Sequence, residues 1–64
     1  MSPNEIRGEL LKHGYTLTDV AKKCKVSVSY ISQTIHQKKR TKGFKIRAVI
    51  SELINIPEEI IWPK

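Results

Sequence analysis

The sequence predicts an all-α domain, a compact arrangement of four or five short helices around one small core. Three observations predict it. Apolar residues recur at helical intervals along most of the chain, hydroxyl caps stand just ahead of several of those runs, and no stretch alternates polar and apolar residues as a strand does. A chain of 64 residues has room for a single domain, residues 1–64, and for one core. Its lone cysteine, Cys24, has no partner for an internal bridge and is expected to serve as a small buried hydrophobe, so helix packing has to stabilise the fold.

Ser2, Pro3 and Glu5 open the first helix: a capping hydroxyl, a proline at the first helical position, and a carboxylate three residues after the cap. Ile6 and Leu10, with His13 one turn further, form its inward face, and Gly14 supplies the left-handed residue that ends it. Thr16 and Asp19 repeat the cap, so a second helix runs from Leu17 to Cys24 or Lys25 with Val20, Ala21 and Cys24 on one face. Lys25-Val26-Ser27 breaks the pattern. Ser27 then caps a third helix from Val28 to about Gln37, with Val28, Ile31 and Ile35 as its inward positions. A polar, cationic connection covers Lys38 to Gly43. Beyond it, Ile46, Val49, Ile50 and Leu53 fall at helical spacing and mark a fourth helix over about Phe44 to Ile54. Pro57, Glu58 and Glu59 suit a further helical first turn, Pro63 ends that segment, and Ile56, Ile60 and Trp62 are expected to close the core as a lid.

The formal net charge is +6, and its distribution is uneven. Every acid (Glu5, Glu9, Asp19, Glu52, Glu58, Glu59) lies in the flanks, whereas Lys22, Lys23, Lys25, Lys38, Lys39, Arg40, Lys42, Lys45 and Arg47 follow one another with no acid between. So localised a cationic field suits a polyanion, nucleic acid above all. Catalysis is not expected: no glycine-rich phosphate loop, carboxylate pair or nucleophile–base set is present. His13, Cys24 and His36 match no zinc spacing, so neither a metal nor a cofactor is expected. The apolar runs are too short to span a bilayer, and no basic-then-apolar leader opens the sequence, which leads to the expectation of a cytoplasmic protein with no membrane partner.

The stretch from Thr16 to Ile35, two short helices around a tight turn with Ala21 where they meet, resembles the Cro/C1-type (lambda-repressor-like) helix-turn-helix DNA-binding family. The run Ile56-Pro57-Glu58-Glu59-Ile60-Ile61-Trp62-Pro63 is similar to the end of the Ner-like phage regulators within that group. Two positions depart from the pattern. Lys25 stands where the turn usually has glycine, implying a distorted turn, and Leu17 replaces the glutamine that often contacts phosphate.

The resemblance implies a sequence-specific regulator of transcription, a repressor of phage or mobile-element promoters, whose partner is a double-stranded DNA operator. The first helix of such a pair crosses the DNA backbone and the second presents its amino-terminal residues to base edges in the major groove. Carried over by position, the base readers are Ser27, Val28, Ser29, Tyr30, Ser32, Gln33, His36 and Gln37. The phosphate contacts are Thr16, Thr18, Lys22, Lys23, Lys38, Lys39, Arg40, Lys42, Lys45 and Arg47. Gln33 suits adenine, an unburied Val28 suits a thymine methyl, and no arginine on this face favours guanine, so the expected site leans to A·T. Tyr30 suits either a DNA contact or the edge of the core, whereas Trp62 is expected to anchor packing. Any homodimer is expected to be weak or DNA-induced, with Leu11, Ile61 and Trp62 as its exposed apolar surface; no small-molecule ligand is expected. The main alternative is a protein-docking helix-turn-helix module that recruits a transposase, recombinase or polymerase. A basic amphipathic membrane binder is a third reading.

Overall fold

Side-chain caps begin the first three helices of the computed structural model, which describes residues 1–37 and 41–63. The elements are α1 (Pro3–Lys12), α2 (Leu17–Cys24), α3 (Val28–His36), α4 (Phe44–Ile54) and α5 (Glu58–Ile61), with no strand among the described residues. Ser2 Oγ accepts from the Glu5 N–H at 3.2 Å while the Glu5 carboxylate accepts from the Ser2 N–H at 2.9 Å. Thr16 and Asp19 repeat this reciprocal pair at 3.3 and 2.9 Å. Each pair satisfies two N–H groups that a helix start leaves without partners. The Ser27 hydroxyl does half as much for α3, accepting from Tyr30 at 3.2 Å. α4 starts differently, on Gly43 in the left-handed region with no side-chain cap.

α4 packs against each of the other four helices and is the centre of the fold. Its inner stripe, Ile46, Ile50 and Ile54, meets Ile6 and Leu10 of α1, Val20, Ala21 and Cys24 of α2, Ile31 and Ile35 of α3, and Ile61 and Trp62 at the end of the chain. The result is a compact all-α globule. Its radius of gyration is 10.2 Å, close to the roughly 11 Å typical of a compact chain this long.

Several sequence expectations need correction. Val28 is not an inward position: it opens α3, lies beyond the edge of the core and is 42% exposed. Thr34, by contrast, is fully buried, its hydroxyl satisfied by donating to the Tyr30 carbonyl one turn back at 3.0 Å. His13 falls just after α1 and is exposed, its ring held by the Glu9 carbonyl at 2.9 Å. In α4, Ile54 is buried where Val49 and Leu53 are only half-buried. At the end of the chain Ile60 points outward, 60% exposed, while Ile61 and Trp62 are both buried. Consecutive residues face inward there because Trp62 leaves the helix in an extended conformation. Ile61 and Trp62 are therefore core, not a dimer surface, and only Leu11 of that expected set is exposed.

Candidate nucleic-acid interface

α2 and α3 pack against each other across a short turn, with the small Ala21 buried on α2. The turn between them is well formed despite its missing glycine. Lys25 adopts φ 57, ψ 44, the left-handed region, and Val26 N–H donates to the Ala21 carbonyl while Lys25 N–H donates to that of Lys22. That is the bonding of a glycine-ended helix. A non-glycine residue there carries about 1–2 kcal/mol of conformational cost. The expected distortion is thus replaced by strain in a regular turn.

Below its caps, α3 divides into two faces. Ile31, Thr34 and Ile35 are buried, and at about 100° per residue Ser29, Gln33 and His36 lie opposite them, all three exposed. Ser32 is half-buried on one flank; Val28 and the 38%-exposed Tyr30 stand at the amino-terminal end. Ser27, exposed as well, has its oxygen engaged as the cap. The His36 Nδ1 lies 2.8 Å from the Ser32 carbonyl, which only accepts, so this nitrogen carries the proton and Nε2 remains for an outside partner. Nowhere does α3 carry Asp, Glu, Lys or Arg.

Several residues expected to touch DNA make bonds within the chain, Gln37 and Arg47 the most extensively. The Gln37 carboxamide holds the connection into α4: its oxygen accepts from Thr41 N–H at 3.1 Å, the Thr41 hydroxyl at 3.0 Å and Lys42 N–H at 2.8 Å, and its nitrogen donates to the Lys42 carbonyl at 3.0 Å. Arg47 donates from Nε to the same carbonyl at 3.0 Å and from Nη1 to Glu58 at 2.9 Å, its side chain only 13% exposed. These bonds fix both side chains within the chain and occupy the Gln37 carbonyl oxygen, while one N–H of Gln37 and three of the five of Arg47 take no part in them. Thr16 is similarly occupied, since Asp19 takes both its N–H and its hydroxyl, whereas Thr18 is exposed.

Among the expected phosphate contacts Lys22, Lys23, Lys42 and Lys45 are exposed, as is Lys25 in the turn. Lys38, Lys39 and Arg40 lie outside the described residues. Burial pushes the Cys24 thiol pKa up, opposed by the charges of Lys45 and Lys23. Phe44, between Lys42 and Lys45, is 80% exposed, a feature that helical periodicity had no means of revealing at the first position of a helix. A separate open depression between α1 and α2 is lined by Arg7, Leu10, Leu11, Tyr15, Thr16 and Leu17. No cluster of metal-ligating side chains occurs among the described residues, and none of their helices is long and apolar enough to cross a membrane. Comparisons with protein-family models, curated proteins and solved structures returned no match.

Proposed function

We propose that the protein is a sequence-specific double-stranded DNA-binding regulator of transcription, with α2 and α3 acting as a lambda-repressor-like helix-turn-helix and α3 entering the major groove. The observation that carries this reading is the outward face of α3: exposed, polar and uncharged, on a helix held rigidly from behind by Ile31, Thr34 and Ile35. Uncharged polar groups at a helix surface suit base edges. The cations on α2 and before and within α4 suit the flanking phosphates, which position a protein without reading sequence. The resemblance extends the proposal to a repressor of phage or mobile-element promoters, working without catalysis in the bacterial cytoplasm.

If protomers pair on DNA, they meet through surfaces other than Ile61 and Trp62; among the described residues Leu11 and Ile60 are the most exposed large aliphatics, at 65% and 60%. The same exposed groups, together with Phe44, favour the second reading, a module that docks a protein partner.

Selection of duplexes from a random pool at two salt concentrations tests the proposal. Recovery of a defined motif is expected, with five or six neutralised phosphates giving a slope of log affinity against log salt of about −5. Retention that depends on salt alone, with no motif, would reduce the proposal to unspecific phosphate binding and move the docking reading ahead.

A further inference from the structure

The chemistry of the α3 face limits which base pairs it discriminates; this inference rests on the DNA-binding reading above. Guanine is read best by a cation on O6 and N7, cytosine by a carboxylate on N4, and α3 carries neither type of side chain. Its serine hydroxyls pair with several edges and discriminate little. Of the two carboxamides, that of Gln37 is engaged by Thr41 and Lys42, which leaves Gln33, exposed at the centre of the outward face. A carboxamide matches adenine, donating to N7 and accepting from N6.

The second discriminating group is Val28. It is an aliphatic side chain, 42% exposed, at the first position of the helix whose amino-terminal end a helix-turn-helix presents to the bases. Along the edges of the major groove the apolar feature is the 5-methyl of thymine. We propose that α3 reads A·T pairs by two separate chemistries, Gln33 on an adenine and Val28 against a thymine methyl, so that the methyl group is itself a determinant of specificity. Five residues of helix advance about 7.5 Å, and base steps are about 3.4 Å apart. With the turn of about 140° between the two positions added, the adenine and the thymine lie within about three steps of each other.

The experiment takes the duplex recovered by selection and replaces each thymine in turn by deoxyuridine, which removes the methyl and nothing else. Affinity is measured for the unaltered protein, for Val28→Ala and for Gln33→Ala, with circular dichroism confirming that each variant is folded. For the unaltered protein, one thymine per half-site is expected to lose about fourfold in affinity on conversion to uracil, the effect of one buried methyl. Val28→Ala, which removes two methyl groups, should bind the unmodified site about four- to fifteenfold more weakly by the same reckoning and show no further loss at that thymine. Gln33→Ala should relax the preference for adenine within about three steps of it. A defined motif with no effect of uracil anywhere, or an undiminished uracil effect in Val28→Ala, overturns the inference while leaving sequence-specific binding intact. Failure to recover any motif removes both together.

Discussion

Replacing Gly43 by alanine tests the geometry that joins α3 to α4. Two independent penalties meet at this position. Gly43 has φ 70, a left-handed conformation costing a residue with a Cβ about 1–2 kcal/mol. A Cβ built there would lie 2.6 Å from Thr34 Oγ1 and 2.8 Å from Thr34 Cγ2, and Thr34 is fully buried, so it has little room to yield. Overpacking of this kind costs about 1–3 kcal/mol, and the stiffer unfolded chain returns about 0.4–1 kcal/mol. The net loss is about 1–4.5 kcal/mol, against a total stability of roughly 3–10 kcal/mol for a chain of this length. Thermal unfolding followed by circular dichroism should show a Tm lower by roughly 5–35 °C. Thr34→Ala separates the two penalties, because it removes both close atoms and leaves the backbone conformation unchanged. In a double-mutant cycle the pair should be about 1–3 kcal/mol more stable than the sum of the single changes. A Gly43→Ala protein within about 0.5 kcal/mol of the parent, or strict additivity in the cycle, would refute the account of this contact.

The same geometry leads to further expectations. Lys25→Gly relieves the left-handed strain in the α2–α3 turn and, after allowing for a looser unfolded chain, should raise stability by up to about 1 kcal/mol in urea unfolding; a loss would mean that the lysine is not strained. Gln37→Ala should lower affinity for all duplexes alike, with unchanged base preference in competition binding, because the residue holds Thr41 and Lys42 in place and reads no base. Arg47→Ala should cost about 2 kcal/mol of stability through its bonds to Glu58 and the Lys42 carbonyl, yet leave the salt slope of DNA binding unchanged. Hydrogen bonds from the Thr16 backbone and side chain hold the Asp19 carboxyl below its ordinary pKa, and those from Ser2 do the same for Glu5. Folded values below the unfolded ones stabilise the protein above the ordinary carboxyl range and lose that contribution as the pH falls through the folded values. Stability followed from neutral to strongly acidic pH should accordingly decline less steeply for Asp19→Asn and Glu5→Gln than for the parent.

The starts of α1, α2 and α3 were legible because a cap is a local device: Ser2 with Glu5, Thr16 with Asp19, and Ser27 each make their bonds within three residues of sequence. Core positions on α1 and α2 were legible for a similar reason, since Ile6, Leu10, Val20, Ala21 and Cys24 follow helical spacing. Thr34 was hidden because a threonine reads as polar until its hydroxyl finds a backbone carbonyl one turn away. Ile60 and Ile61 exchanged roles because four residues of helix are too few to set a phase, and the extended backbone of Trp62 decides which side chain turns inward.

At the candidate interface, the local sequence determined that Ser29, Gln33 and His36 share a face of α3 and that this helix carries no Asp, Glu, Lys or Arg. It also determined that the cations cluster with no acid among them. Only the tertiary structure decided which polar groups remain available to a partner. Gln37 and Arg47 have the chemistry of DNA contacts, but both close on the Lys42 carbonyl, and Arg47 also reaches Glu58 of α5, eleven positions along the chain. Val28 lies outside the core although its spacing fits an inward face. Residue type states what a side chain is able to bond; the packing of α4 against α3 and α5 settles whether that bond is already made inside the protein.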